Sequence, residues 1–250
     1  MASSLLLSQA AIILALVGMS FGWKGVMTKY AGFYDTQTAW SQVFWGLLLG
    51  GVYGFLSESF ILRPLLIRNF TSFDADFNVF NILIIVFIVS ISSHFMLIRK
   101  RVRQFNSQPT SGWALGLAIG AMLSMFFIAR ILIDTPLSLG VIVNVVVFAI
   151  ATPRIEALIS TYHGHLMLRG RRWGAIIRSA SWRILFLVFL VNAVIDPFTW
   201  FFILPSIFLV QPRANEWIWD AIPKDARRRL RRVWAQNLRQ KATTTPNEDE

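Results

Sequence analysis

The chain has 250 residues, 55% of them hydrophobic and only 15% charged, and it contains no cysteine. Long apolar runs in such a composition point to an all-α integral membrane protein, and the lack of Cys excludes disulfides, thiol catalysis and cysteine metal centres. The formal net charge of +11 is gathered in a few loops and the tail, which points to an anionic lipid surface or an acidic partner.

Hydropathy predicts five spans, 4–23, 38–62, 77–98, 112–133 and 137–159, each with the roughly 20 apolar residues that a bilayer crossing needs. The first has no basic residue before it and no small-residue cleavage pattern after it, so it reads as a retained helix.

The second span contains "FWGLLLGGVYGF", which sets Gly46, Gly50 and Gly54 on one helical face. A glycine in a helix costs about 1 kcal/mol relative to alanine. In lipid the offset is close backbone packing, because helices there gain no hydrophobic drive to associate. Gly112, Gly116 and Gly120 repeat the spacing in the fourth span. The simplest expectation is that the second and fourth spans provide a seam for each other. Self-association and a sliding transporter surface are the sharper readings.

Ionisable groups inside the spans are few. Glu58 falls near one end of the second span, and Arg130 and Asp134, one turn apart, are expected to pair at the same end of the fourth. His94 lies just before "RKRVR", and His163 and His165 close the fifth span, with Glu156 nearby. Together these histidines could hold zinc or iron, although known metal spacings are absent and interfacial imidazoles are commonplace. No other cofactor is expected.

After the fifth span, the apolar block 184–210 is interrupted by Asn192, by Asp196-Pro197 and by Pro205. Basic residues, including Arg99, Arg101, Arg171, Arg172, Arg178 and Arg183, mark alternate loops as inner, which puts the N-terminus outside. The tail "ARRRLRRVW" must then be inside too. A single crossing by the last block would put it outside, so the block reads as a re-entrant or shallow helical hairpin turning at "NAVIDPF". Asp196, with Asn192 and Asn144, is the candidate proton or transport site of this region, against the plainer reading of Asp196 as a turn former before proline.

In the tail, Leu230, Val233, Trp234 and Leu238 share one helical side, while Arg227, Arg228, Arg231 and Arg232 cover the rest. That pattern predicts a basic amphipathic helix lying on an anionic inner leaflet. The division expected is a transmembrane domain over 1–212, a basic interfacial tail over 213–241 and a disordered acidic end over 242–250. "NFT" at 69–71 is a glycosylation sequon in an outer loop.

Residues 20–46, "SFGWKGVMTKYAGFYDTQTAWSQVFWG", resemble the first hairpin of drug/metabolite transporters, with an aromatic-glycine entry and a lysine soon after. The likeness covers a tenth of the chain. Gln42 stands where that family opens its second span with arginine, and its repeated length is absent.

Serine-elbow, zincin and phosphate-loop patterns are missing, as are paired carboxylates in the spans, so enzyme chemistry is the minority reading. The leading expectation is a non-catalytic subunit that packs, anchors or assembles a membrane complex. Its partners are membrane lipids, other membrane subunits or a second copy, and the tail's apolar stripe explains its charge without nucleic acid. A small-solute transporter or channel is the alternative, and a histidine-metal membrane enzyme the third.

Overall fold

A computed structural model describes residues 2–32, 34–69, 79–222 and 224–244. Asp74 and Asp76, much of the sequon and most of the acidic end lie outside the described residues. The protein is an all-α membrane protein, with no strand among the described residues. Its helices are α1 (Ala2–Val26), α2 (Thr36–Ser57), α3 (Arg63–Asn69), α4 (Val79–Leu97), α5 (Lys100–Gln104), α6 (Gln108–Asp134), α7 (Leu139–Leu168), α8 (Arg172–Ile195), α9 (Trp200–Ala221) and α10 (Lys224–Thr244). A π-helical turn, Glu58–Leu62, joins α2 to α3.

Local chemistry sets the boundaries. The Asp35 carboxylate accepts from the Gln37 amide at the start of α2, Ser138 accepts from Val141 at the start of α7, and Pro109 opens α6 where no helical donor is needed. Among the described residues, six helices are long and apolar enough to cross a membrane. α6 is the axial one, buried at nearly every position from Gln108 to Ile128 and flanked by α1, α2 and α7. α2 shows how the bundle meets its surroundings: Phe44, Leu48, Val52 and Phe55 are exposed, while Gly46, Gly50, Tyr53 and Gly54 face inward.

Two glycine-lined approaches flank α6. A Cβ on Gly46 would stand 2.6 Å from the Leu115 carbonyl oxygen, one on Gly50 2.6 Å from the Ile119 Cα, and one on Gly54 2.5 Å from the Phe126 ring. The glycines of α6 itself turn to α7. Substituent carbons at Gly112, Gly116 and Gly120 would come within 2.3 Å of Ser160 O, 2.3 Å of Glu156 O and 2.5 Å of Pro153 Cα. The expectation that the two glycine faces meet each other is thereby corrected. The α6 residues that receive α2 sit about a third of a turn from its own glycines, at 100° per residue.

The last apolar block differs from its sequence reading in extent. α8 begins at Arg172 instead of Ile184 and is itself of spanning length, so the turn at Asp196–Thr199 lies between two long arms. Asp196 accepts from the Phe198 amide and starts the 3₁₀ turn Pro197–Thr199, as a proline after a helix end favours. α9 then returns along α7, from Trp200 against Phe148 to Trp217 against Tyr162 and Asp220 within 3.6 Å of Arg169. It runs unbroken across residue 212, where the tail was expected to begin.

The basic loops and the tail gather at one end of the bundle. Arg101 pairs with Asp35 at 3.0 Å, Tyr30 donates to the Asn215 carbonyl, and Lys29 lies 5.5 Å over the Trp234 ring. The tail helix uses part of its apolar stripe on its own chain: Leu230 is buried and Trp234 stacks on Trp219. Bundle contact offers that stripe the same escape from water that a lipid surface would.

Candidate functional site: a charged centre inside the bundle

Arg183 is the largest charged group that the fold encloses, with none of its side chain exposed. Its guanidinium spreads over two neighbouring helices. Nε donates to Glu156 Oε2 at 3.0 Å, Nη1 to Ser90 Oγ at 3.1 Å, and Nη2 to Ser160 Oγ at 2.9 Å and Ser93 Oγ at 3.5 Å. Glu156, 3% exposed, is as enclosed as its partner. Helical spacing builds this arrangement: Ser90 and Ser93 on α4, Glu156 and Ser160 on α7, and Ser179 and Arg183 on α8 are polar residues three or four apart, so each set shares a face.

Tyr53 of α2 lies within electrostatic reach of both Glu156 and Arg183, and its buried hydroxyl has no hydrogen-bond partner among the described residues. Ser57, one turn further along α2, and Thr152, one turn before Glu156, also carry buried hydroxyls without partners. Orphaned hydroxyls are uncommon in folded interiors, and that of Tyr53 lies within reach of an ion pair.

A second polar chain leads from this centre toward the basic end. His94 Nδ1 and His163 Nε2 are 3.1 Å apart, and His163 Nδ1 is 2.8 Å from Ser179 Oγ. Ser179 donates to the Ile176 carbonyl at 3.1 Å, so its oxygen accepts from His163. From this network the proton of His163 is assigned to Nδ1, and Nε2 accepts from His94. Ser160 stands one turn from both Glu156 and His163, linking the two chains along one face of α7.

The three histidines do not converge. His165 stacks on Trp217, with ring centroids 5.8 Å apart, away from the His94–His163 pair. Positions two apart on a helix point about 200° from each other, so α7 directs these rings to different sides. Among the described residues no group of three His, Asp or Glu side chains is placed to hold a metal ion.

Asn144, Asn192 and Asp196 lie at the opposite end, and each is engaged locally. Asn144 donates to Ala193 O at 3.1 Å and accepts from Trp200 Nε1 at 2.7 Å, tying α7 to α8 and α9. Asn192 donates to Val188 O in its own helix, and Asp196 is an exposed turn cap. At that end Arg130 pairs with Asp134 at 2.6 Å and lies 3.7 Å from Glu58.

The basic residues divide by partner. Arg99 lies over Trp45, Arg101 holds Asp35 and Gln37, Arg227 donates to the Ile222 and Asp220 carbonyls, and Arg231 lies over Trp219. Arg171, Arg172, Arg228 and Arg232 are exposed.

Sequence reasoning missed Arg183, Tyr53 and the serines around them. Arg183 was counted with the loop charges that set orientation, although its helical register with Ser179 and Leu187, both buried, marks it as inward-facing. Comparison with protein-family models, with curated proteins and with solved structures gives no match to this chain.

Proposed function

We propose that the protein is a proton-coupled carrier of a small anion, working at the Arg183–Glu156 centre. The observation that carries this reading is an ion pair at 3.0 Å, with side chains 0% and 3% exposed, inside helices of membrane-spanning length. Stability alone is a poor account of such a pair. Each ion loses several kcal/mol of hydration, and a well-packed apolar pair is often as stable or more so. Charged groups inside a membrane bundle generally mark a pathway or a relay.

The residues divide the work. A proton reaching Glu156 neutralises its carboxylate and leaves the Arg183 fork, with its serines, open to a carboxylate or phosphate. The orphaned hydroxyl of Tyr53 adds a donor within reach of it. His94 and His163 provide exchangeable protons between the basic end and the centre. Loss of the pair also removes the charged tie between α7 and α8, giving the binding event a contact to loosen.

The test is uptake into proteoliposomes with lumenal pH recorded, across a panel of small carboxylates and phosphate. An anion gradient is expected to drive proton movement, Glu156→Gln to uncouple it, and Arg183→Met to abolish anion entry. Failure of every anion to move protons would sink the proposal.

A second reading is a subunit that assembles a membrane complex, with glycine-zipper seams holding its own helices. It is favoured by Arg171, Arg172, Arg228 and Arg232, which are exposed and make no ion pair among the described residues. Stable co-purification with other subunits, lost on reversing those four charges, would support it.

A further inference from the structure

Between α7, α8 and α9 the bundle opens a crevice of about 370 Å³. α8 and α9 both pack on α7 and scarcely touch each other, so the gap between them faces outward. Its deeper part is apolar, lined by Ile159, Phe186 and Ile207. Toward the basic end of the bundle, its mouth is formed by Tyr162, Trp217 and Arg213.

One cation lines that mouth and a second reaches it through Tyr162. Arg213 is exposed and has no hydrogen-bond or ion-pair partner among the described residues. Arg178, also exposed, donates to the Tyr162 hydroxyl at 3.4 Å from the facing helix. Arginines on long stems beside Trp and Tyr are the side chains that suit the headgroup level of a bilayer. Below them the lining is hydrocarbon, and above them the arginine-rich end of the bundle carries most of the net charge of +11.

We infer that this crevice is a binding site for one anionic phospholipid, whose phosphate sits between Arg178 and Arg213 and whose acyl chain lies against Ile159, Phe186 and Ile207. A partner helix could fill the apolar part, but it would have to supply an anion at the mouth as well. A phospholipid carries both along one molecule, in the orientation that the crevice requires. The site is separate from the Arg183–Glu156 centre, and the inference stands whether or not the protein is a carrier.

The experiment uses full-length protein in phosphatidylcholine vesicles, with a small fraction of lipid brominated in the acyl chain. Quenching of tryptophan fluorescence by brominated phosphatidylglycerol is compared with that by brominated phosphatidylcholine. The difference between the wild type and Trp217→Phe isolates the reporter at the mouth. Selective quenching by the anionic lipid is expected, and neutralisation of Arg178 or Arg213 to glutamine should each reduce the selectivity about fivefold. A second variant, Ile207→Phe, fills the apolar part without adding a tryptophan and should remove the selective quenching with both arginines intact. Equal quenching by the two lipids, or selectivity that survives both arginine substitutions, would overturn the site. Displacement of the quenching by an added membrane-protein fraction, with no lipid preference, would assign the crevice to a partner helix and overturn it equally.

Discussion

Gly116 of α6 lies directly against the carbonyl of Glu156: a Cβ at that glycine would stand 2.3 Å from the oxygen and 2.6 Å from Ala157 Cα. The backbone that carries the buried carboxylate is therefore also the backbone that α6 packs on. Gly116→Ala is expected to force α6 and α7 apart at a cost of about 1–3 kcal/mol, as overpacking does. Gly51→Ala meets only the Met122 methyl at 3.6 Å and should be neutral or stabilise by up to about 1 kcal/mol. Thermal melting in detergent checks both, and equal effects would show that close approach is not what the glycine provides.

Removing one member of the buried pair leaves the other unpaired. Arg183→Met or Glu156→Leu alone should destabilise by about 3–5 kcal/mol, whereas the double substitution should return close to wild-type stability. A double mutant that melts with the singles would contradict the pairing. The same double mutant is expected to be inactive in anion uptake, which separates stability from function.

Asn144 and Asp196 stood together as candidates in the sequence, yet their surroundings predict opposite outcomes. Asn144→Leu strands the buried indole N–H of Trp200 and should cost about 1–3 kcal/mol. Asp196→Asn keeps a side chain able to accept from the Phe198 amide, so its effect on melting should be within about 0.5 kcal/mol. Uptake by Asp196→Asn should match the wild type.

Asp35 offers a pH test outside the spans. Its carboxyl is held below the usual range by the Thr38 hydroxyl first; burial, the next effect, opposes it, and the Arg101 guanidinium and the Gln37 and Thr38 amides outweigh that opposition. A folded-state value below the unfolded one means a contribution present above the unfolded value of about 3.9 and lost as pH falls through the folded one. The melting difference between wild type and Asp35→Ala should therefore hold from neutral pH down to about pH 4 and shrink below it. A difference that grows on acidification would reverse the sign.

Topology has its own check. A tag after residue 244 and one inserted beside Arg171 should be accessible from the same side of the membrane, since Asp220 and Arg169 meet at one end. Accessibility from opposite sides would rule out α9 as a returning arm.

Much of the helix inventory was legible in the sequence because apolar runs, Pro109 and Asp196-Pro197 are local signals. The turn fell where Pro197 put it. The start of α8 was not legible, because Arg172, Arg178 and Arg183 look alike in a charge count although two face out and one is enclosed. Nothing in one sequence pairs Glu156 with a residue 27 positions away. What was available is that Ser90-Ser93-His94 and Glu156-Ser160-His163 are polar stripes at helical spacing in apolar spans. A stripe of that kind predicts a common interior neighbour, and Arg183 is that neighbour.

Lys29 and Tyr30, in the loop after the first helix, meet Asn215 and Trp234 near the far end of the chain. During biosynthesis the first hairpin must therefore wait until residues 185 positions further along have been made before its polar loop finds these partners. A ribosome that stops short of Trp234 releases a bundle whose opening loop still lacks its aromatic cover.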